Sequence, residues 1–109
     1  MPPLPRIDVI RKIIETTPND PFPRYGYAME LKTLGRHEEA VAAFTEMEQR
    51  FPDYVAQYLM HHHVLLALRR KGEARALGER GIVAARKKGD GHAAGELQQA
   101  LDALADADD

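Results

Sequence analysis

The sequence predicts an all-α fold in which about six helices pair as antiparallel hairpins and stack into a solenoid. Apolar residues recur at spacings of three and four, as at Ile7, Ile10 and Ile14 and again at Val41 and Phe44. No segment shows the alternation of apolar and polar residues typical of a strand. Proline, glycine and aspartate clusters interrupt the pattern at regular intervals, so the chain is divided into short helices.

The first two helices have clear boundaries in the sequence. Helix 5–17 ends before the turn sequence Pro18-Asn19-Asp20-Pro21. Helix 21–34 follows Asp20, a good N-cap residue, and Pro21 suits its first position because the missing amide has no helical partner there. Gly35 then suits the left-handed residue that ends it.

The remaining four helices are predicted at 37–51, 54–70, 73–88 and 91–106. Asp53 and Asp90 precede two of them as cap residues. Cations near the ends of the fourth and fifth helices oppose the negative pole of the helix dipole. Since the connections are only a few residues long, neighbouring helices are expected to run antiparallel.

Composition narrows the possible chemistry. The 109 residues include no cysteine, tryptophan or serine, and their net charge is -2. These absences exclude a disulfide framework, a thiol nucleophile, a zinc-thiolate site and a Ser/His/Asp triad. No phosphate loop or dinucleotide fingerprint is present. We therefore expect no enzymatic activity and no cofactor.

No segment has the roughly 18 uncharged apolar residues that a bilayer crossing needs. The opening Met1-Pro2-Pro3-Leu4-Pro5-Arg6 lacks the apolar run of a secretory signal. The sequence therefore predicts a cytoplasmic protein with no membrane partner.

An internal repeat is visible when the sequence is shifted by 34 residues. The shift places Ile10 on Phe44 and Pro18 on Pro52, and it also relates the later hairpins without a gap. A period of 34 in helix-turn-helix units is typical of the tetratricopeptide repeat. Ala40, Phe44 and Pro52 match the family's A-x3-F and closing proline, so the sequence resembles this family, specifically its small bacterial-type proteins.

The resemblance implies a right-handed superhelix and a single domain over 1–109. Within it, 5–20 resembles half a repeat, 21–54 and 55–88 are full repeats, and 91–106 resembles a capping helix. Such proteins bind other proteins, so a protein or peptide partner is expected on the concave surface formed by the first helices of the repeats.

Nine residues are implied as the peptide-binding groove by this resemblance. They are Phe22, Tyr25, Met29, Lys32 and Thr33 of the first repeat, and Leu59, His63, Leu66 and Arg70 of the second. An amphipathic helix or an extended peptide fits a surface of this mixed apolar and cationic chemistry. Two alternatives stay open for these groove residues. The last helix covers part of them through Leu97, Leu101 and Leu104, or a second subunit covers them in a homodimer.

The second repeat departs from the family pattern. His61 and His62 stand where leucine and glycine are usual, and Gly78 stands where an aromatic residue is usual. A histidine at the closest approach of two helices overpacks unless volume is removed opposite it, and Gly78 and Gly81 supply that room. We predict that His62 packs over Gly78 or Ala74.

The run His61-His62-His63 suggests metal binding as an alternative function. Consecutive helix residues point about 100° apart, so the three rings cannot share one ion. The run is thus expected to place two histidines in partly buried positions and one on the surface.

The segment 69–88 carries eight cations and two acids, which suggests weak phosphate binding as a further alternative. No aromatic residue lies among the cations for base stacking, and the cations gather at helix ends. No nucleic-acid partner is therefore expected.

Overall fold

The computed structural model describes residues 4–107, and this part of the chain forms six helices joined by short turns. The helices are α1 (Arg6–Thr16), α2 (Pro21–Thr33), α3 (His37–Arg50), α4 (Ala56–Ala67), α5 (Lys71–Lys88) and α6 (Gly91–Ala107). None of them combines the length and apolar content required to cross a bilayer. The expected all-α fold is confirmed.

Two of the predicted N-caps are confirmed. The Asp20 carboxylate accepts a hydrogen bond from the Phe22 amide at 3.0 Å, and the Asp90 carboxylate accepts one from the Ala93 amide at 3.0 Å. The prediction for Asp53 is wrong. A turn closed by the Tyr54 amide and the Phe51 carbonyl delays the start of α4, so Asp53 lies outside the capping position.

The turn between α4 and α5 also differs from prediction. Arg69 has a φ of 60° and ends α4 early, because a left-handed residue cannot continue a right-handed helix. As a result, α4 stops at Ala67 rather than residue 70, and α5 begins at Lys71 rather than residue 73.

Each helix packs against the next one along the chain, and α4 also contacts α2 and α6. The even-numbered helices therefore form one continuous row. Within residues 4–107 the backbones of the odd-numbered helices do not contact one another, and grooves separate these helices. Because one side is close-packed and the other is splayed, the even-numbered helices line the inner, concave face of the stack.

Two hydrophobic clusters hold the stack together. The first joins α1 to α4 around Phe44 and Leu31, and the second joins α4, α5 and α6 around Tyr58 and Leu77. Val41 contacts both clusters, so the core is continuous from hairpin to hairpin.

The prediction for His62 is confirmed. Its side chain is fully buried, and its Nδ1 lies 2.8 Å from the Ala74 carbonyl oxygen. A Cβ placed on Gly78 would lie 3.6 Å from that Nδ1 and only 2.7 Å from Leu101 Cδ2. Gly78 thus makes room for α6 as well as for His62, while Gly81 makes room for Tyr58, whose Cβ would lie 2.6 Å from an added Cβ.

Candidate functional site

The five predicted residues of α2 share one face of that helix, because their spacings of three, four and seven repeat the helical period. Phe22 is 69% exposed, and Thr33 is also exposed. Tyr25, Met29 and Lys32 are half-buried.

The structure brings Tyr25 and Leu59 together in a shallow pocket of about 220 Å³. The pocket spans the three even-numbered helices and their connections, and its other lining residues are Val55, Ala56, Met60, Ala93, Glu96 and Leu97. The sequence reasoning missed Ala93 and Glu96 because it treated α6 only as a cap. Asp90 caps α6 as Asp20 caps α2. This shared signal in the sequence could have placed α6 in the same row as α2.

The last helix borders the predicted peptide-binding groove: Leu59 and Leu66 pack against the cluster that contains Leu97 and Leu104, and Leu59 and Leu97 line one pocket. Leu97 and Leu104 are buried in the cluster that joins α4, α5 and α6, and Leu101 packs against it. Since these side chains point into the core, α6 extends the row of even-numbered helices and leaves the pocket open beside Leu97.

Of the two predicted residues toward the end of α4, only His63 offers a polar group to the surface. His63 is exposed, whereas Leu66 is half-buried against the core. Partial burial holds the pKa of His63 below its ordinary value, and the nearby charge of Lys32 acts in the same direction.

Arg70 does not join the other predicted residues. It occupies the N-cap position of α5, and its guanidinium donates to the Glu73 carboxylate at 2.7 Å and to Glu38 at 3.3 Å. Because Arg69 ends α4 three residues earlier than predicted, Arg70 lies on the side of α3 and α5.

Tyr25 and Met29 contribute to the core as well as to the concave face. Both pack against the cluster around Phe44, and the Tyr25 ring centroid lies 5.3 Å from that of Tyr54. Burial raises the pKa of Tyr25 above its ordinary value. Replacing either residue should therefore affect stability as well as binding.

The three consecutive histidines point in different directions. His61 stacks on Phe44 with ring centroids 5.2 Å apart, His62 contacts Ala74 in the core, and His63 faces solvent. Burial lowers the pKa of His61 to about 4. No group of three potential metal ligands occurs in the described part of the chain.

Cations of the basic segment pair with acids near α3. Arg80 donates to Glu48 at 2.6 and 3.0 Å, and the Lys88 ammonium lies 3.8 Å from the Asp53 carboxylate. These contacts, like that of Arg70 with Glu38, bridge successive repeats. Part of the positive charge is thus balanced within the protein.

Solved structures show what this chain is similar to. No protein-family model and no curated protein matches the sequence. A tetratricopeptide repeat domain protein from Salinibacter ruber, solved in solution, is 33% identical; the match covers 80% of this chain and 88% of that one, with a TM-score of 0.75. A crystal structure of a tetratricopeptide repeat domain protein from the same organism is also 33% identical, covering 78% of this chain and 96% of that one, with a TM-score of 0.74.

A more distant likeness extends over more of the fold. The TPR2B domain of yeast Sti1, solved in a complex with pHsp70, is 18% identical and has a TM-score of 0.85. That match covers 93% of this chain and 81% of that one. The 33% identity to the Salinibacter structures, which the first of them shows over 80% of this chain, agrees with the repeat period and shows that the chain belongs to the tetratricopeptide repeat family.

Proposed function

We propose that this protein is a non-catalytic interaction module that binds a peptide or helix on its concave face. The observation that carries the proposal is the apolar pocket between Tyr25 and Leu59, with the exposed ring of Phe22 one helical turn from Tyr25. Large exposed aromatic side chains beside an apolar pocket are typical of protein-binding surfaces. An apolar side chain of the partner would enter the pocket, and Lys32 and His63 would contact its polar groups.

The Sti1 domain supports a protein or peptide partner, since its structure was solved in complex with pHsp70. The proposal for this chain commits to an apolar anchor, because apolar and aromatic side chains line most of the pocket and Glu96 is its single charged residue.

The test is selection of peptides from a random phage-displayed library, followed by affinity measurement for the best peptide. Phe22→Glu and His63→Glu, both at exposed positions, should weaken binding at least tenfold. Val83→Glu is the matched control, because Val83 is 58% exposed but lies beside the basic end of α5. Equal affinities of all three variants and the parent would contradict concave binding, provided that their thermal midpoints agree.

A homodimer is a second candidate, favoured by apolar residues left exposed on α1. Val9 and Ile13 lie one turn apart and are 42% and 44% exposed. Light scattering at low and high concentration tests this candidate. A dimer that Ile13→Glu converts to a monomer would support it, and a monomer at every concentration would rule it out.

A further inference from the structure

The buried face of α5 shows what an odd-numbered helix packs against. An added Cβ on Gly81 would meet both Tyr58 of α4 and Leu97 of α6. An added Cβ on Gly78 would likewise meet side chains of both α4 and α6. This face is therefore enclosed between the helix that precedes α5 in the chain and the helix that follows it.

The equivalent face of α1 is only partly enclosed. A shift of 34 residues relates Ile10 to Phe44 of α3. The same shift relates Ile13 to Met47, and a second one leads to the two glycines of α5. The two residues of α3 are fully buried, whereas Ile13 is 44% exposed and Ile10 is half-buried. Within residues 4–107, α2 is the one helix that packs against α1, so the side on which a preceding helix would lie is uncovered.

Val9 enlarges this uncovered surface. It lies one turn before Ile13 and is 42% exposed, whereas its equivalent in α5, Leu77, is 1% exposed. Val9, Ile10 and Ile13 are here called the amino-terminal face. This face is an apolar surface at the end of the stack, and no residue of α1 lines the concave pocket.

In the next hairpin, a helix covers the equivalent face of α3. That helix is α2, whose Ala28 and Leu31 are fully buried in the same cluster as Phe44. Arg24 of α2 forms an ion pair of 3.3 Å with Glu46 of α3. Because successive hairpins repeat one antiparallel packing, the amino-terminal face fits an amphipathic helix that lies on α1 as α2 lies on α3.

The charge at the Glu46 position is reversed in α1. Lys12 stands there, is exposed and forms no ion pair with another residue of 4–107. A docked helix therefore needs a carboxylate where α2 has Arg24. That place is near the amino end of the helix, where the helix dipole also favours an acid.

Arg6 limits the length of the contact. It stands at the position of the fully buried Ala40, and its guanidinium pairs with Glu30 of α2 at 3.2 Å. Since a long side chain here prevents the close approach that alanine permits, a docked antiparallel helix ends beside Arg6. A cation at that place stabilises the carboxyl end of the docked helix.

A second copy of this chain fits the face less well. Three cations and two acids lie on α1, so an isologous contact between two α1 helices opposes like net charges. The exposed side of α6 carries polar residues, among them Gln98, Gln99 and Asp102, rather than the leucine that α2 supplies. The charges therefore favour a helix of another protein with a net negative charge.

We propose that the amino-terminal face binds an acidic amphipathic helix of a partner protein, in the place that α2 takes on α3. Small and apolar side chains of this helix cover Ile10 and Ile13, and a carboxylate near its amino end pairs with Lys12. The partner thus completes the first hairpin of the stack. The site is separate from the concave face and from any peptide bound there.

The probe is a fluorescein-labelled peptide with the sequence of residues 20–35, in which Arg24→Glu supplies the carboxylate. A hydrocarbon staple joining positions 26 and 30 keeps it helical. The equivalents of these positions in α4 are Met60 and Val64, which pack toward the preceding repeat, so the staple faces solvent in the docked peptide.

Fluorescence anisotropy with the full chain measures binding of the stapled peptide. We expect a dissociation constant on the order of 10 μM. The same stapled peptide with Arg24 retained should bind about fivefold more weakly, because a like charge then faces Lys12.

Variants of the protein test the charge and the packing separately. Lys12→Glu, at an exposed position, should reverse the preference, so that the peptide retaining Arg24 binds more tightly. Ile13→Glu should weaken binding of the Arg24→Glu peptide about tenfold. Val83→Glu is the matched control, because it places the same charge at an exposed apolar residue of α5 and should leave the affinity unchanged. If Ile13→Glu fails to fold, the charge reversal at Lys12 decides the question.

Four results would overturn the proposal. They are no saturable binding of either peptide, an unchanged preference in Lys12→Glu, an affinity that falls with His63→Glu rather than Ile13→Glu, and a dimer by light scattering that Ile13→Glu converts to a monomer. The third result would place the peptide on the concave face, and the fourth would assign the amino-terminal face to a second copy.

Discussion

Gly35 and Arg69 occupy the same position in successive hairpins, 34 residues apart, and both have a left-handed backbone, with φ of 74° and 60°. Glycine adopts this conformation without strain, whereas an L-residue with a Cβ does not. The second hairpin thus uses the same turn as the first with a less suitable residue.

We expect Arg69→Gly to stabilise the protein by about 1 kcal/mol, since it removes the steric cost of a left-handed side chain. Urea unfolding monitored by circular dichroism measures this change. Gly35→Ala is the reciprocal variant and should destabilise by a similar amount. A loss of stability in Arg69→Gly would show that the arginine side chain makes contacts that outweigh the strain.

Gly81→Ala should destabilise the protein by about 1–3 kcal/mol, as expected for overpacking in a core. An added Cβ would lie 2.6 Å from Tyr58 Cβ and 3.0 Å from Leu97 Cδ1, so helices α4 and α6 would have to shift. Gly72→Ala, on the same helix with no neighbour within 4 Å, is the control. It should be neutral or stabilising, because alanine favours a helix more than glycine does. If both variants had equal thermal midpoints, the close packing at Gly81 would be disproved.

Stability should fall as the pH is lowered from about 6.5 to 4. The pKa of His61 is lowered to about 4 in the folded protein by burial, while an unfolded histidine keeps a pKa near 6.5. In this range the unfolded chain binds more protons than the folded one, so acid favours unfolding. The shift corresponds to a loss of about 3 kcal/mol at most.

The contribution of His61 is isolated by comparison with His61→Phe, which keeps an aromatic ring against Phe44 but cannot titrate. Urea unfolding at pH 7 and pH 4.5 should show a smaller acid loss for the variant than for the parent. Identical losses would assign the acid sensitivity to the carboxylates instead.

Tyr25→Ala and Met29→Ala should each cost about 1–2 kcal/mol, because both side chains are half-buried against the core. His63→Ala, at an exposed position of the same face, should change the thermal midpoint little. Differential scanning calorimetry of the three variants checks this. Unchanged midpoints for Tyr25→Ala and Met29→Ala would mean that these residues serve binding alone.

Local sequence signals predicted most of the fold. Asp20 and Asp90 cap helices through bonds to amides two and three residues away, so their effect does not depend on distant packing. The placement of α4 was less accurate, because Arg69 carries no intrinsic left-handed preference. Only the turn geometry shared with Gly35 explains its conformation.

Part of the candidate site was also predictable. Tyr25 and Leu59, which the family resemblance implied as groove residues, line one pocket, whereas Arg70 turns to Glu38 and Glu73. The packing of His62 was also predictable from the sequence, because the repeat pattern pairs its helix with the next one, where Gly78 leaves room for the ring.

The sequence by itself determined the helices, their antiparallel pairing and the 34-residue repeat, because these depend on periodicity and on contacts between near neighbours. The tertiary structure decided that Glu96 borders the concave pocket and that His61 faces an open groove. Both facts depend on how far apart non-neighbouring helices stand. That separation is set by the side chains packed between the helices across the whole stack, which no single segment specifies.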